Sequence, residues 1–296
     1  MFLFISSFSY IEIKRKKRGH SYYVFKTIFI EIYYKNSYLR LLTREDKLLD
    51  EADIKTLLID EQSSAQPRET IVGYPTYPLY REIGNMLYQW LVNKYVSVEC
   101  PVVNLPKYDM LDEKVYVESR SAMFATITPL LEGMKSLWDL WGVDERKYRI
   151  RYILTLLGKR GLLDLLGMRK TVGTREIFPC SRTTLEKCFT AKHSPNSQLS
   201  VGARALAKHH HRDESTSWWG VCTGTEQAKN ENAFKIMNKI LDNATWLNTH
   251  WLPQDIIILE ARHFDGYGAR WTADGSSFRG FLEPQMEGGH EIGWKH

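Results

Sequence analysis

The chain has 296 residues, which is enough for about two domains of roughly 150 residues each. Its composition, 43% hydrophobic and 25% charged, is that of a folded globular protein rather than a disordered one. No run of 18 apolar residues occurs, so we expect no membrane association, and four cysteines are too few for a disulfide scaffold. The net charge of +5 is concentrated in residues 1–40, which carry +6, while the other 256 residues sum to −1. The basic character is therefore weak evidence for a nucleic-acid surface on the folded part.

Residues 1–40 form an atypical extension rich in aromatic and basic side chains. Its apolar stretch precedes the basic run Lys14–Arg18, which is the reverse of the order in a secretory signal peptide. This order favours an intracellular, cytoplasmic protein, and a nuclear import signal at Lys14–Arg18 is the alternative. We predict that the rest of the chain folds without the extension. The amino-acid composition of the extension differs from that of the other residues, and nearly all of the net positive charge lies in the extension.

Residues 41–178 are predicted to form a mainly helical domain. Helices are expected at 44–61, 78–91, 128–141 and 144–157, where apolar residues recur at helical spacing. A short strand is predicted at Lys114–Val117. The basic stretch Arg146–Arg175 is interpreted as structural surface, with Lys159 and Arg160 exposed in a loop between two glycines.

Residues 179–296 are predicted to form an α+β domain with the element order α-β-α-β-β-β. The predicted elements are a helix at 200–209, a strand at 217–223, a helix ending near 241, and strands at 256–264, 269–272 and 278–282. Tight glycine turns join the last three strands, which is typical of an antiparallel meander. The fold class is therefore α+β, with a mostly helical N-terminal part and a C-terminal meander.

The C-terminal domain also has the composition of a binding site. Eight of the nine histidines lie at or beyond His193, and six of the nine tryptophans lie at or beyond Trp218. Together with arginine, these side chains can titrate, stack and bind anions. We therefore predict that the domain binds an anionic ligand, which would be a nucleotide, a phosphate ester or a nucleic acid. The predicted ligand-binding residues are Arg204, His209, His211, Arg212, Arg262, Arg270, Arg279 and Trp271.

Two residues of the predicted strand 256–264 are candidates for catalysis. This strand is apolar on both faces at its start and polar near its end, where Glu260 and His263 could serve as general base or acid. A four-residue turn after the strand would place Arg262 opposite Trp271 as a cation–π pair. Glu260, Arg262 and at least one of His209, His211 and His263 are expected to meet on one concave surface, lined also by Arg270 or Arg279.

Two other interpretations fit the same residues. The tryptophans could form an exposed surface for a protein partner. Alternatively, the histidines could hold a divalent metal in a hydrolase, with His209 and His211 as two ligands. The candidates for the third ligand, between which the sequence does not choose, are His193, His250, His263, Cys222 and Glu260. The sequence contains no zinc-protease motif, phosphate-binding loop, esterase elbow or dinucleotide fingerprint. Whether the domain is an enzyme is therefore left open by its sequence.

Overall fold

A computed structural model describes residues 49–61, 68–93, 114–209, 217–252 and 255–284. The N-terminal extension 1–40 and two predicted ligand-binding residues, His211 and Arg212, lie outside the described residues. No helix in the described ranges is long and apolar enough to cross a membrane.

The N-terminal part is helical, as predicted. Its helices are α1 (Glu51–Leu58), α2 (Leu79–Asn93), α3 (Lys114–Leu137) and α4 (Val143–Leu165), with a 3-10 turn at Trp138–Leu140. Helix α1 begins at Glu51 because the side chains of Asp50 and Asp53 cap each other's backbone N–H groups. The predicted strand at Lys114–Val117 is wrong, since this segment is the first turn of α3.

The expectation that Lys159 and Arg160 are exposed in a loop is also wrong. Both residues continue α4, which bends at Gly158, where φ is +59°. Lys159 forms an ion pair with Asp53 at 2.7 Å, and Arg160 forms one with Asp164 at 3.1 Å. Burial lowers the pKa of Arg160 to about 10. These basic residues therefore stabilise the helical part and are not a free cationic patch.

The C-terminal part has an α+β architecture, and its antiparallel meander is confirmed. It consists of α5 (Arg182–Thr190), α6 (Val201–His209), α7 (Glu226–Asp242), β1 (Ala244–Leu252), β2 (Ile256–His263), β3 (Gly268–Thr272) and β4 (Phe278–Leu282). The sheet has four antiparallel strands in the order β1-β2-β3-β4, so the meander has one strand more than the three predicted for it. Neither β1 nor α5 was predicted, and the strand predicted at 217–223 is a turn and coil.

The two faces of the sheet differ in chemistry. Helices α5 to α7 pack on one face, which we call the helix face and which carries Leu259, Ala261, Ala269 and Trp271. Because side chains alternate along a strand, the intervening residues project from the opposite side. We call this opposite side the polar face; it carries Asn248, His250, Glu260, Arg262 and Arg270.

The segment 168–175, which follows α4, lies along the free edge of β1. The backbone N–H of Arg169 donates to the carbonyl of Leu247 at 2.6 Å, and that of Arg175 donates to Thr249 at 2.8 Å. Trp251 in turn donates its N–H to Gly173 at 3.1 Å. This segment satisfies the hydrogen bonds of an edge that would otherwise be open, and we call it the edge segment.

The contact between α5 and α6 gives a test of the packing. A Cβ atom added at Gly202 would lie 2.1 Å from the ring of Phe189, which itself packs on Phe278 of β4. Gly202→Ala should therefore destabilise the fold by about 1–3 kcal/mol through overpacking. Thermal unfolding followed by circular dichroism would measure this as a lower Tm.

Gly133→Ala in α3 is the matched control, because nothing lies within 4 Å of the added Cβ. Here the substitution should stabilise the protein by about 0.5–1 kcal/mol, since glycine is unfavourable inside a helix. An unchanged Tm for Gly202→Ala would contradict the described packing of α6 on α5.

Candidate functional site

A row of residues crosses the polar face at right angles to the strands. Asn248 of β1 pairs with Glu260 of β2, Glu260 pairs with Arg270 of β3, and Arg270 pairs with Gly280 of β4. Directly opposite residues in an antiparallel sheet have Cβ atoms about 4.5–5.5 Å apart, so their side chains meet. The row therefore brings an amide, a carboxylate and a guanidinium together on one surface.

Glu260 is the centre of this row and is almost fully buried, with 2% of its side chain exposed. Its Oε1 accepts a hydrogen bond from Nε of Arg262. Its Oε2 accepts one from Nε of Arg270 at 2.6 Å and lies 3.1 Å from Nε2 of His250. One carboxylate thus binds side chains from three strands.

These partners determine the ionisation of Glu260. Burial alone would raise the pKa of the carboxyl, but the charges of Arg262 and Arg270 and the contact with His250 outweigh it. The pKa of Glu260 is therefore held well below its usual range, and the group is an anion at neutral pH. A carboxylate with such a low pKa is a weak proton acceptor, so its geometry suits orienting its neighbours better than exchanging protons.

His250 is the imidazole next to this carboxylate. Its Nε2 faces Oε2 of Glu260, and an anionic acceptor favours the tautomer with the proton on Nε2. The Nδ1 atom then carries a lone pair that can accept a proton. The ring also lies edge-on to Trp246, at 6.2 Å between centroids. An ionised carboxylate that fixes an imidazole in this way is a common arrangement for general base catalysis.

Arg270 is the more accessible of the two arginines. Its side chain is 18% exposed, and within the described ranges Glu260 is its hydrogen-bond partner. Gly280 lies opposite it, and a Cβ atom added there would have no other atom within 4 Å, so the space above β4 is open. A ligand can therefore approach Arg270 from the side of β4.

Arg262 has a structural role. It is 1% exposed, and its Nη1 atom donates to the carbonyls of Gly266 at 2.6 Å and Glu283 at 3.2 Å. The predicted cation–π pair with Trp271 is wrong, because Arg262 pairs with Gly268 and Trp271 lies opposite Leu259 on the helix face. The turn has three residues, 264–266, and not the four assumed at 265–268, since the N–H of His263 donates to the carbonyl of Tyr267 at 2.8 Å.

His263 lies away from Glu260, because consecutive odd and even positions of β2 project to opposite faces. Its ring contacts Trp218 at 5.7 Å, and its Nδ1 lies 3.2 Å from the carboxylate of Asp265. Burial lowers the pKa of His263, and Lys239 adds to this effect against the opposing influence of Asp265. His263 therefore belongs to a second cluster at the β2–β3 turn.

The other predicted ligand-binding residues are dispersed. His209, at the end of α6, pairs through Nδ1 with Glu283 at 2.7 Å. Arg204 is exposed on α6, and Arg279 is exposed on β4 next to Gly280. Trp271 is fully buried in the core. The structure thus joins Glu260, Arg262 and Arg270, and it adds His250 where His209 or His263 had been expected.

Two alternative interpretations find little support in the described residues. No group of three His, Cys, Asp or Glu side chains within these ranges could hold a metal ion. Trp219, Trp246 and Trp271 are each at most 1% exposed and pack inside, so of the described C-terminal tryptophans only Trp218 and Trp251 are open to a protein partner.

His250 was considered only as a possible third metal ligand, and Asn248 was not predicted as a site residue, because β1 was not recognised from the sequence. The signal that could have found them is the alternation in Trp246-Leu-Asn-Thr-His250, in which every second residue is polar or aromatic and can share a face. The contribution of the edge segment could not be seen in this way. Thr174 donates its hydroxyl to Oδ1 of Asn248 at 2.9 Å, and Thr171 accepts from Nδ2 at 3.1 Å, across more than seventy residues of sequence.

Residues 189–283 match the family model described as "CdiA C-terminal tRNase toxin domain". The chain is also similar to the toxic C-terminal tip of CdiA from Pseudomonas aeruginosa, solved by crystallography in complex with an immune protein. The identity is 30%, the alignment covers 32% of this chain and 99% of that one, and the TM-score is 0.28. No curated protein matches the chain.

The buried carboxylate gives a test of the site's electrostatics. Glu260→Gln keeps the shape of the side chain but leaves the buried guanidinium of Arg262 without its counter-ion. Removing one partner of a buried ion pair costs about 3–5 kcal/mol. Chemical denaturation should show this loss, whereas Glu145→Gln, whose partner Arg149 is on the surface of α4, should change stability by about 1 kcal/mol or less.

We also expect the wild type and Glu260→Gln to differ in their stability at acidic pH. A carboxyl whose pKa is lowered by folding stabilises the protein above its unfolded pKa, about 4.3 for glutamate, and loses this contribution as the pH falls below it. The wild type should therefore lose more unfolding free energy between pH 6 and pH 3 than Glu260→Gln does, with pH values chosen to bracket that pKa of about 4.3. Equal losses would contradict an ionised Glu260 in the folded state.

Proposed function

We propose that the C-terminal domain is a ribonuclease that cleaves tRNA. The observation that carries this proposal is the match of residues 189–283 to a tRNase toxin family. The matched range includes α6, α7 and all four strands, so every residue of the row from Asn248 to Gly280 falls within it. The match thus supports activity on RNA, and the polar face supplies an imidazole held by a carboxylate and, in Arg270, a partly exposed cation.

RNA cleavage requires proton transfer and charge stabilisation. The 2′-hydroxyl of a ribose can attack the adjacent phosphorus, so that a 2′-O–P bond forms and the P–5′-O bond breaks. The proton of the 2′-hydroxyl passes to a base, and the 5′ oxygen gains a proton from solvent or from an acid. Negative charge develops on the phosphate oxygens during this step, and a fixed cation stabilises it.

His250 is the proposed base. In the tautomer favoured by Glu260, its Nδ1 lone pair is free to accept the 2′-hydroxyl proton, after which the imidazolium is stabilised by the adjacent carboxylate. Glu260 is then a positioning residue, in place of the proton-transfer role first expected for it. Its low pKa keeps it ionised throughout the reaction.

Arg270 is the proposed phosphate-binding residue. Its Nε is fixed by Glu260, which restrains the guanidinium plane, while its partial exposure and the open space above Gly280 leave it accessible to a ligand. A guanidinium presents several parallel N–H groups and can bind a phosphate with two hydrogen bonds. Arg279, which directly precedes Gly280 on the neighbouring strand, is exposed and gives β4 a cation of its own.

His263 stays a second candidate for proton transfer. It is held beside Asp265 at the β2–β3 turn, and a site there would use Trp218 and Lys239 in place of the polar face. Because the two histidines project from opposite faces of the sheet, separate substitutions distinguish the two locations.

The test is cleavage of purified tRNA by the full-length protein. We expect fragments with 5′-hydroxyl ends, and no cleavage when the 2′-hydroxyls are methylated, because the nucleophile is then blocked. His250→Gln should lower the cleavage rate by about 10²–10⁴-fold, the usual contribution of a general base. Thermal unfolding should show that this variant is folded.

His263→Gln is the comparison variant and should retain cleavage close to the wild-type rate. A large loss in His263→Gln with normal activity in His250→Gln would move the site to the β2–β3 turn. Intact tRNA in the presence of the wild-type protein, over a range of buffers and divalent cations, would contradict the proposed function.

A further inference from the structure

Trp251 stands apart from the other tryptophans. It is 45% exposed, and it is the one tryptophan among the described residues with more than a third of its surface open to solvent. It directly follows His250 in β1, so it projects from the opposite side of the same edge strand. An indole exposed to this degree beside a candidate site calls for a functional explanation, because large apolar rings are usually covered.

The edge segment fixes the backbone of Trp251 and places a cation beside its indole. The backbone N–H of Trp251 donates to Gly173 at 3.1 Å, and the backbone of Arg175 is tied to Thr249 at 2.8 Å. These bonds place the guanidinium of Arg175 at 4.9 Å from the centre of the indole ring. The contact with Arg175 favours this position of the ring before a ligand binds, which reduces the entropy lost on binding.

Arg175 adds unused hydrogen-bonding capacity. It is exposed, and within the described ranges its guanidinium forms no ion pair and no hydrogen bond besides its contact with the indole. The pair thus presents a flat aromatic surface and a free cation side by side. These are the two chemical features that recognise a nucleotide, namely a stacking surface for the base and hydrogen-bond donors for its phosphate.

We infer that Trp251 and Arg175 form a stacking platform for an unpaired nucleotide of the RNA substrate. The choice of RNA as the ligand rests on the proposed function. An unpaired base is required because a base inside a duplex has both faces covered by its neighbours. The platform lies at the end of β1, where an RNA strand that crosses His250 on the polar face can round the edge and place a flanking base on the indole.

The platform extends the functional unit beyond the matched family segment. Arg175 and Gly173 precede residue 189, where the family match begins. Arg175, one of the two residues of the platform, therefore comes from a segment upstream of the matched domain. The platform is a specificity element of this chain.

The test measures binding of the full-length protein to a labelled 2′-O-methyl RNA of about eight nucleotides by fluorescence anisotropy, a length within the range for single-strand binding sites. Trp251→Ala should weaken binding of the single strand by about 5- to 150-fold, equivalent to the 1–3 kcal/mol of one stacked base. Trp251→Phe should retain most of the affinity. Arg175→Gln should reduce the salt dependence by about one phosphate contact.

Phe264→Ala is the matched control, because Phe264 is a 56% exposed aromatic residue in the turn that follows β2, away from Trp251. It should bind the single strand as the wild type does. A fully paired duplex of the same sequence should bind without sensitivity to Trp251. The inference is wrong if Trp251→Ala binds the single strand like the wild type, or if Phe264→Ala loses as much affinity.

The outcome also separates the platform from the proposed function. If binding depends on Trp251 while tRNA is not cleaved, the platform is supported and the nuclease is contradicted. If tRNA is cleaved and Trp251→Ala has the same KM and affinity as the wild type, the nuclease is supported and the platform is overturned.

Discussion

The buried carboxylate of Glu260 is the interaction on which the polar face depends. An ionised group in the interior is tolerated only when cations and hydrogen bonds replace its lost water. Arg262, Arg270 and His250 supply them from three adjacent strands. One anion therefore fixes the orientation of three side chains, of which Arg262 is fully committed to structure while His250 and Arg270 keep functional groups for a ligand.

The two faces of the sheet have different roles: the helix face contributes to stability, and the polar face carries the candidate site. Leu259, Ala261 and Trp271 pack against the helices and contribute hydrophobic burial, so the opposite face can carry charged groups. The edge segment completes this arrangement by closing β1 and holding Asn248 through Thr171 and Thr174. The structural unit that supports the site is thus larger than the segment matched by the family model.

The sequence was sufficient for the fold class and for part of the site. Glycine turns located β2, β3 and β4, which placed Glu260 and Arg270 on neighbouring strands. Strand β1 was missed because Asn248 and His250 are polar residues typical of a loop. Their hydrogen-bond partners, which make them compatible with a buried strand, are not visible in the sequence. Without that strand, His250 could not be placed beside Glu260. The pairing of Arg262 was also predicted wrongly, because turn length sets register and a shift of register changes every cross-strand neighbour.

In the proposed mechanism His250, held by Glu260, is the group that meets the RNA. Histidine side-chain NMR of the full-length protein, titrated with uncleavable 2′-O-methyl RNA, would examine this most directly. We predict that the imidazole resonances of His250 shift on binding and that those of His263 do not. Shifts confined to His263, with His250 unchanged at saturating RNA, would contradict a site on the polar face.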